Sequence, residues 1–176
     1  AAAVSLASGI PITVSEAMTT GSSSAISQYV ARLTCTNGAS GSSTPLPVNV
    51  VTTSYNLGAL QFGDTVLCTF TNTPNPHLQL QKALGGTGRI FATDQFTLNI
   101  TTGATTVATT TTTGSGITVT NGATPMTQVT AGTAYSLSEN AAGTTFMPQY
   151  TATIACINAN GSSSTALPSS LPGTLT

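Results

Sequence analysis

The feature that most constrains the fold of this chain is an internal repeat. Residues 29–47 realign with residues 150–168 at a shift of 121 positions, and nine of the 19 residues are identical. Upstream, residues 9–16 match residues 132–139 at a shift of 123, which places Glu16 and Glu139 at one repeat position. A repeat of this length is the size of a single domain. The sequence therefore predicts parts of two similar domains in tandem.

The local sequence pattern is that of β-strands. Apolar and polar residues alternate with period two, which places one face of a strand on a core and the other in solvent. Turn-forming pairs separate these runs, and no window keeps a helical period. The alternating segments are Pro11–Ser15, Leu78–Gln81, Gln95–Ile100, Ile117–Thr120 and Ala134–Ser138. We predict an all-β chain of tandem immunoglobulin-like or prealbumin-like β-sandwich domains, each incomplete within this chain.

The order of the repeated pieces predicts where the two domains meet. Residues 1–76 are interpreted as the C-terminal part of one β-sandwich repeat, and residues 77–176 as the N-terminal part of the next, without its last strand. The joint is Thr73-Pro74-Asn75-Pro76, since two prolines stiffen a linker and block strand pairing. We expect either that the chain continues or that a neighbouring subunit supplies the missing strand.

The composition excludes several classes of function. Charged residues make up 4 % of the chain, against about 25 % in average proteins. Three scattered basic residues cannot form a nucleic-acid surface, and no apolar run is long enough for a membrane span. The acidic residues are dispersed, and His77 lies in the proline-rich joint, so we expect no metal site, no cofactor and no enzymatic activity.

The three cysteines indicate an oxidising, extracellular or cell-surface location. Cys35 and Cys68 are predicted to form a disulfide within the first domain. Cys156 is the repeat equivalent of Cys35, so its partner is expected outside the given sequence. The alternative is a free cysteine that acts as a small buried hydrophobe.

Several motifs resemble a known family. The run from Leu78 to Leu98 resembles the opening of prealbumin-like repeats in very large bacterial surface proteins, which are relatives of collagen-adhesin B-type domains. The Ser-Glu pairs that end in Glu16 and Glu139 look like the middle strand of that family. The segment Cys68–Thr73 looks like its closing strand. The resemblance implies immunoglobulin-like or transthyretin-like modules of a cell-surface stalk, adhesin or fibre.

The resemblance also implies a candidate isopeptide cross-link. Some relatives join a first-strand lysine to a last-strand asparagine with help from a buried carboxylic acid. The matching residues are Lys82, Asn72 and either Glu16 or Glu139. Lys82 and Asn72 fall in different domains, so each would need a partner outside the given sequence. The alternative is a lysine that snorkels beside a solvent-exposed glutamate.

These observations favour a structural function over a binding function. We expect a subunit or repeat unit of an extracellular bacterial filament or adhesin stalk, completed by strand pairing with an adjacent repeat or a neighbouring subunit. Its partners would be copies of itself or adjacent repeats. The alternative is an adhesin module that recognises a host or surface glycan.

Overall fold

A computed structural model describes residues 9–175 of the chain and separates it into two compact units. Unit 1 comprises residues 1–75 and unit 2 residues 76–176. All strand pairs in the described residues are antiparallel. The helical elements of this part of the chain are two short 3-10 turns, Ile26–Gln28 and Met147–Gln149, which stand 121 positions apart like the sequence repeat. The all-β prediction is confirmed.

Unit 1 contains two sheets around a small apolar core. One sheet pairs β1 with β4, and the other has the order β3-β2-β5. The core residues are Leu33, Cys35 and Leu57, with Ile12, Phe70 and others packed against them. The strands are β1 (Pro11–Ser15), β2 (Tyr29–Asn37), β3 (Val50–Val51), β4 (Ser54–Ala59) and β5 (Val66–Pro74).

Unit 2 is built on a four-stranded sheet of order β11-β10-β7-β8, with a separate short pair β6-β9. Its core is formed by Ile100, Ala108, Tyr135 and Leu137. The strands are β6 (His77–Leu78), β7 (Asp94–Thr102), β8 (Thr105–Thr111), β9 (Thr127–Gln128), β10 (Tyr135–Gly143) and β11 (Gly173–Leu175).

Three of the five predicted strands are found almost as expected. Pro11–Ser15 is β1, Gln95–Ile100 lies inside β7, and all but the first residue of Ala134–Ser138 lies in β10. The threonine-rich hairpin β7–β8 pairs hydroxyls across the strands, as between Thr97 and Thr111 at 2.8 Å. Branched side chains of this kind suit the pleated surface.

The prediction for Leu78–Gln81 is correct only in part. The strand β6 ends at Leu78, but the pairing continues irregularly: Gln81 bridges Ala123, and the Lys82 amide donates to the Gly122 carbonyl at 2.7 Å. His77 is in β6 rather than in a linker, because its backbone pairs with Gln128. Likewise, Thr73 and Pro74 belong to β5, with Pro74 opposite Tyr29, and not to a joint.

The prediction of a strand at Ile117–Thr120 is wrong. This segment forms turns, apart from a bridge between Thr120 and Thr113. The buried Arg89 side chain donates to the carbonyls of Thr118, Gly116 and Thr113 at 2.6 to 3.2 Å. The guanidinium therefore takes carbonyls that a strand ladder would use.

In the described residues of unit 2, the segment that repeats β2 forms no strand. Residues 150–158 repeat the sequence of β2, yet residues 151–158 belong to no strand in the described part of the chain. In unit 1 the whole of β2 pairs with β5, and no described segment of unit 2 repeats β5. The difference shows that this sequence forms a strand when its neighbour is present, because β-structure depends on cross-strand contacts.

Candidate cross-link site

Strand alternation points Lys82 and Glu139 toward the interior of unit 2. Lys82 continues the series Leu78, Leu80, whose side chains pack on the core, and Glu139 continues the series Tyr135, Leu137. Side chains two residues apart share one face of a strand. Each charged residue therefore occupies the next inward position after an apolar run.

Lys82 and Glu139 form a buried ion pair. Lys82 Nζ lies 2.5 Å from Glu139 Oε1, and the two side chains are only 14 % and 6 % exposed. Lys82 Nζ also lies 4.3 Å from the centre of the Phe96 ring, a geometry in which the π-face attracts a cation. Burial of a charge is costly unless it is paired. The pair is therefore an arrangement that the fold holds in place, unlike an exposed snorkelling lysine.

Contact with Tyr150 holds the Phe96 ring in place, and Tyr150 is held in turn by Asp94. Tyr150 packs edge-on against Phe96 with ring centres 5.1 Å apart, and its hydroxyl donates to Asp94 Oδ2 at 2.6 Å. Asp94 also accepts from the Thr144 hydroxyl and the Phe91 amide. The Tyr150 hydrogen bond holds the pKa of Asp94 below its ordinary value, because it stabilises the carboxylate. Burial, followed by the bond to Asp94, raises the pKa of Tyr150.

In unit 1, the glutamate at the same repeat position contacts an asparagine instead of a lysine. Asn72 Nδ2 donates to Glu16 Oε2 at 3.0 Å, and the Glu16 backbone is held by a bond from its amide to the Thr53 carbonyl. The other carboxylate oxygen, Oε1, is buried and has no hydrogen-bond partner among the described residues. A buried carboxylate oxygen without a donor is unfavourable. This oxygen is therefore placed to accept a further donor.

The two glutamates occupy one repeat position but hold different partners. Glu139 binds the amine of Lys82, and Glu16 binds the carboxamide of Asn72. The structure thus separates the four predicted residues into two pairs, Lys82–Glu139 and Glu16–Asn72, and Lys82 and Asn72 lie in different units. Taken together, the pairs supply an amine, a carboxylic acid and a carboxamide.

Two cavities adjoin the Glu139 carboxylate in unit 2. One has a volume of about 340 Å³ and is lined by Lys82, Glu139, Met147 and Tyr150, among others. The second, of about 410 Å³, is lined by Glu139, Met147, Ala152 and Pro172, among others. Ala152 also lines the first cavity. The space beside the ion pair is therefore large enough for another side chain.

The cysteine at the repeat position of Cys35 is disulfide-bonded in unit 1 and free in unit 2. Cys35 and Cys68 face each other on β2 and β5 and are joined by a disulfide, with Cα atoms 4.1 Å apart. Cys156 has a free, half-buried thiol that packs against the unit 2 core. Burial raises the pKa of this thiol, so little of it is thiolate at neutral pH.

The site includes residues that the sequence analysis missed. No sequence motif assigns a site role to Phe96, Tyr150 or Ala152. The alternation of Phe96 with Leu98 and Ile100 already indicated an inward position, but its contact with Lys82 joins residues from distant strands. The signal for Ala152 is its repeat partner Ala31, which lies opposite Asn72 in the β2–β5 ladder.

No group of three or more His, Cys, Asp or Glu side chains in residues 9–175 is arranged to hold a metal ion. Within the same residues, no helix is long and apolar enough to span a bilayer.

Comparison with known proteins identifies the family. A sequence model described as a prealbumin-like fold domain matches residues 1–74 and again residues 77–176. Searches of curated proteins and of solved structures give no match. The resemblance seen in the sequence motifs is confirmed, and membership is consistent with a structural domain of a pilus or adhesin. The chain belongs to the prealbumin-like fold domain family.

Proposed function

We propose that this chain is a structural repeat unit of an extracellular bacterial filament or adhesin stalk, and that each of its domains is closed covalently by a Lys–Asn amide. The family match supports a pilus or adhesin role, and the Cys35–Cys68 disulfide supports an extracellular or cell-surface location. The observation that carries the cross-link is that Glu139 and Glu16, at one repeat position, hold the amine and the carboxamide respectively.

The domain interpretation follows from the same pairs. Unit 1 holds the closing strand β5 with Asn72, and unit 2 holds the opening segment with Lys82. In this interpretation, residues 1–76 are the back of one repeat and residues 77–176 the front of the next. Glu16 then lacks a lysine like Lys82, and Glu139 lacks an asparagine like Asn72. A segment that repeats β5 would complete unit 2, whether it comes from the same chain or from a neighbouring subunit.

The proposed reaction needs no cofactor. Glu139 accepts a proton from the Lys82 ammonium, and the neutral amine attacks the side-chain carbonyl carbon of the incoming asparagine. A C–N bond forms to Lys82 and the bond to the asparagine Nδ2 breaks. Nδ2 takes up the proton held by Glu139 and the second proton that the Lys82 nitrogen gives up, so it leaves as ammonium and Glu139 is again a carboxylate. The Phe96 ring and the burial of both side chains reduce the water around the pair, which strengthens the interaction between amine and carboxylate.

The mechanical role is tested with a chain that contains its own closing strand. The ladder register makes Leu175 the equivalent of Gly58, since they lie opposite the repeat-equivalent residues Tyr135 and Ile12. Residues 59–75 are therefore copied directly after Leu175, and the extended protein is pulled from both ends in a force spectrometer.

In the covalently closed unit, the stretch of chain between Lys82 and the copied Asn72 should not extend under force, because the amide bond carries the load past this stretch. With reductant present to open the disulfide to Cys156, the matched Glu139→Gln chain should release that whole length. If both chains release the same length, the mechanical role is wrong.

A further inference from the structure

The carbonyl and amide groups of residues 151–158 form an open strand position beside the unit 2 core. These residues repeat β2 but form no ladder within the described chain. Their alternation is preserved, since Ile154 and Cys156 pack against the core while Thr153, Ala155 and Ile157 are exposed. An extended segment with unused hydrogen-bonding groups is a template for another strand.

The β2–β5 ladder of unit 1 shows which strand fits this position. In that ladder Cys68 lies opposite Cys35, and Asn72 lies opposite Ala31. The repeat shift of 121 carries Cys35 to Cys156 and Ala31 to Ala152. Ala152 lines both cavities next to Glu139. An asparagine placed opposite Ala152 would therefore reach the buried Lys82–Glu139 pair, and a cysteine four residues before it would reach Cys156.

We propose that unit 2 binds an extended peptide with a cysteine and, four residues later, an asparagine, and captures it at Cys156 by a disulfide that sets the register for amide formation at Lys82. The amide step rests on the proposed function, whereas the disulfide step does not. Four residues of a strand span about 13 Å, so the two bonds clamp the peptide at separate points along unit 2.

The disulfide is proposed in addition to the amide because the peptide must pair with residues 151–158 in one register. A slip of one residue turns every side chain of a strand to the opposite face, which would move the asparagine away from Glu139. A disulfide at Cys156 excludes such a slip, because only one register places the two sulfurs in contact. Cys156 is thus a positioning residue for the amide step.

The disulfide step is a thiol–disulfide exchange. The peptide cysteine arrives as a mixed disulfide with a small thiol such as glutathione, and the Cys156 thiolate attacks the peptide sulfur. The new S–S bond joins Cys156 to the peptide, the old one breaks, and the small thiolate leaves and takes up the proton that Cys156 lost. Because burial raises the pKa of Cys156, exchange should accelerate as the pH rises above neutral.

The experiment uses the 176-residue chain and a synthetic peptide with the sequence of Val66–Pro74, activated as its glutathione mixed disulfide. Intact mass is followed with and without reductant. We expect an adduct of one peptide that is first lost on reduction and later survives it, with the loss of one ammonia. A matched peptide exchanges the positions of Cys68 and Thr69, which keeps the composition but shifts the cysteine by one residue.

Two variants separate the steps. The Cys156→Ser chain should form no disulfide adduct, and its amide yield should fall by about 10- to 100-fold because the local concentration of peptide is lost. A peptide with Asn72→Ala should give the disulfide adduct alone. Circular dichroism of the Cys156→Ser chain should match that of the parent chain, which shows that the variant is folded.

Each outcome decides the proposal. Equal disulfide rates for the native and shifted peptides would mean that the thiol is merely accessible, and would overturn it, as would a Cys156–Cys156 dimer or the absence of any adduct. An amide that forms equally fast on Cys156→Ser would overturn the positioning role. A disulfide selective for the native peptide without a later amide would support docking and refute the amide of the proposed function.

Discussion

At the scale of single residues, the polar groups of both pairs stand at the ends of apolar runs, where the Glu16 and Glu139 carboxylates are largely covered and Asn72 is exposed. Glu16 and Glu139 follow the alternating core positions of β1 and β10, and Asn72 follows Cys68 and Phe70 on β5. A residue at such a place was predictable from period two alone. Which partner it contacts was not, because the contact joins strands far apart in sequence, as Lys82 and Glu139 are.

Removal of the Asn72 carboxamide is expected to weaken unit 1. Asn72→Ala deletes the donor to Glu16 Oε2 and leaves the carboxylate without a partner among the described side chains. The free energy of unfolding of unit 1 should fall by about 0.5–1.5 kcal/mol, the usual value of a hydrogen bond, as measured by denaturant titration. The matched control is Thr71→Ala on the opposite face of β5, which should cost less; an equal loss would contradict the contact.

The lowered pKa of Asp94 predicts that unit 2 becomes less stable at acidic pH. Its pKa is held below 3.8 by the Tyr150 hydroxyl, so the unfolded state binds a proton more readily than the folded state. The stabilisation is complete above the ordinary carboxyl range and is lost as the pH falls through the lowered pKa.

Asp94→Asn should lower the unfolding midpoint of unit 2 at neutral pH and remove the part of the acid-induced loss that Asp94 causes. Thermal unfolding followed by circular dichroism between pH 7 and pH 2 measures both. A variant with an unchanged acid dependence would show that another group is responsible.

At the scale of elements, local pattern predicted strands well where nothing competed for their backbone. β1, β7 and β10 were found because alternation and turn residues agree. Ile117–Thr120 has the same alternation but forms no strand, since Arg89 binds the Thr118 carbonyl within it and the Gly116 carbonyl beside it. Residues 151–158 resemble β2 but lack a neighbouring strand. Neither a buried guanidinium contact nor a missing partner is visible in a short window of sequence.

The unpaired segment predicts a difference in amide hydrogen exchange. Amides of β2 that pair with β5 should exchange slowly, whereas those of residues 151–158 should exchange rapidly, because hydrogen-bonded backbone is protected. In the chain extended by residues 59–75, the segment should become protected to a similar degree. Exchange measured by mass spectrometry of peptic peptides compares the two chains, and rapid exchange in both would contradict strand completion.

At the scale of the whole chain, two units of one family carry different polar groups at repeat-equivalent positions. Unit 1 holds a disulfide and the Glu16–Asn72 pair, and unit 2 holds a free thiol and the Lys82–Glu139 pair. The repeat at shifts of 121 and 123 made this arrangement predictable in outline. The place of Ala152 beside the two cavities and the contact of Lys82 with the Phe96 ring required the folded structure.

The most direct test is the intact mass of the chain extended by residues 59–75, denatured and reduced. The account predicts that this chain loses one ammonia as Lys82 joins the copied asparagine, and that the Glu139→Gln and Lys82→Arg chains keep their full mass. A folded extended chain at its full mass would contradict covalent closure and leave the closing strand held by hydrogen bonds and the disulfide.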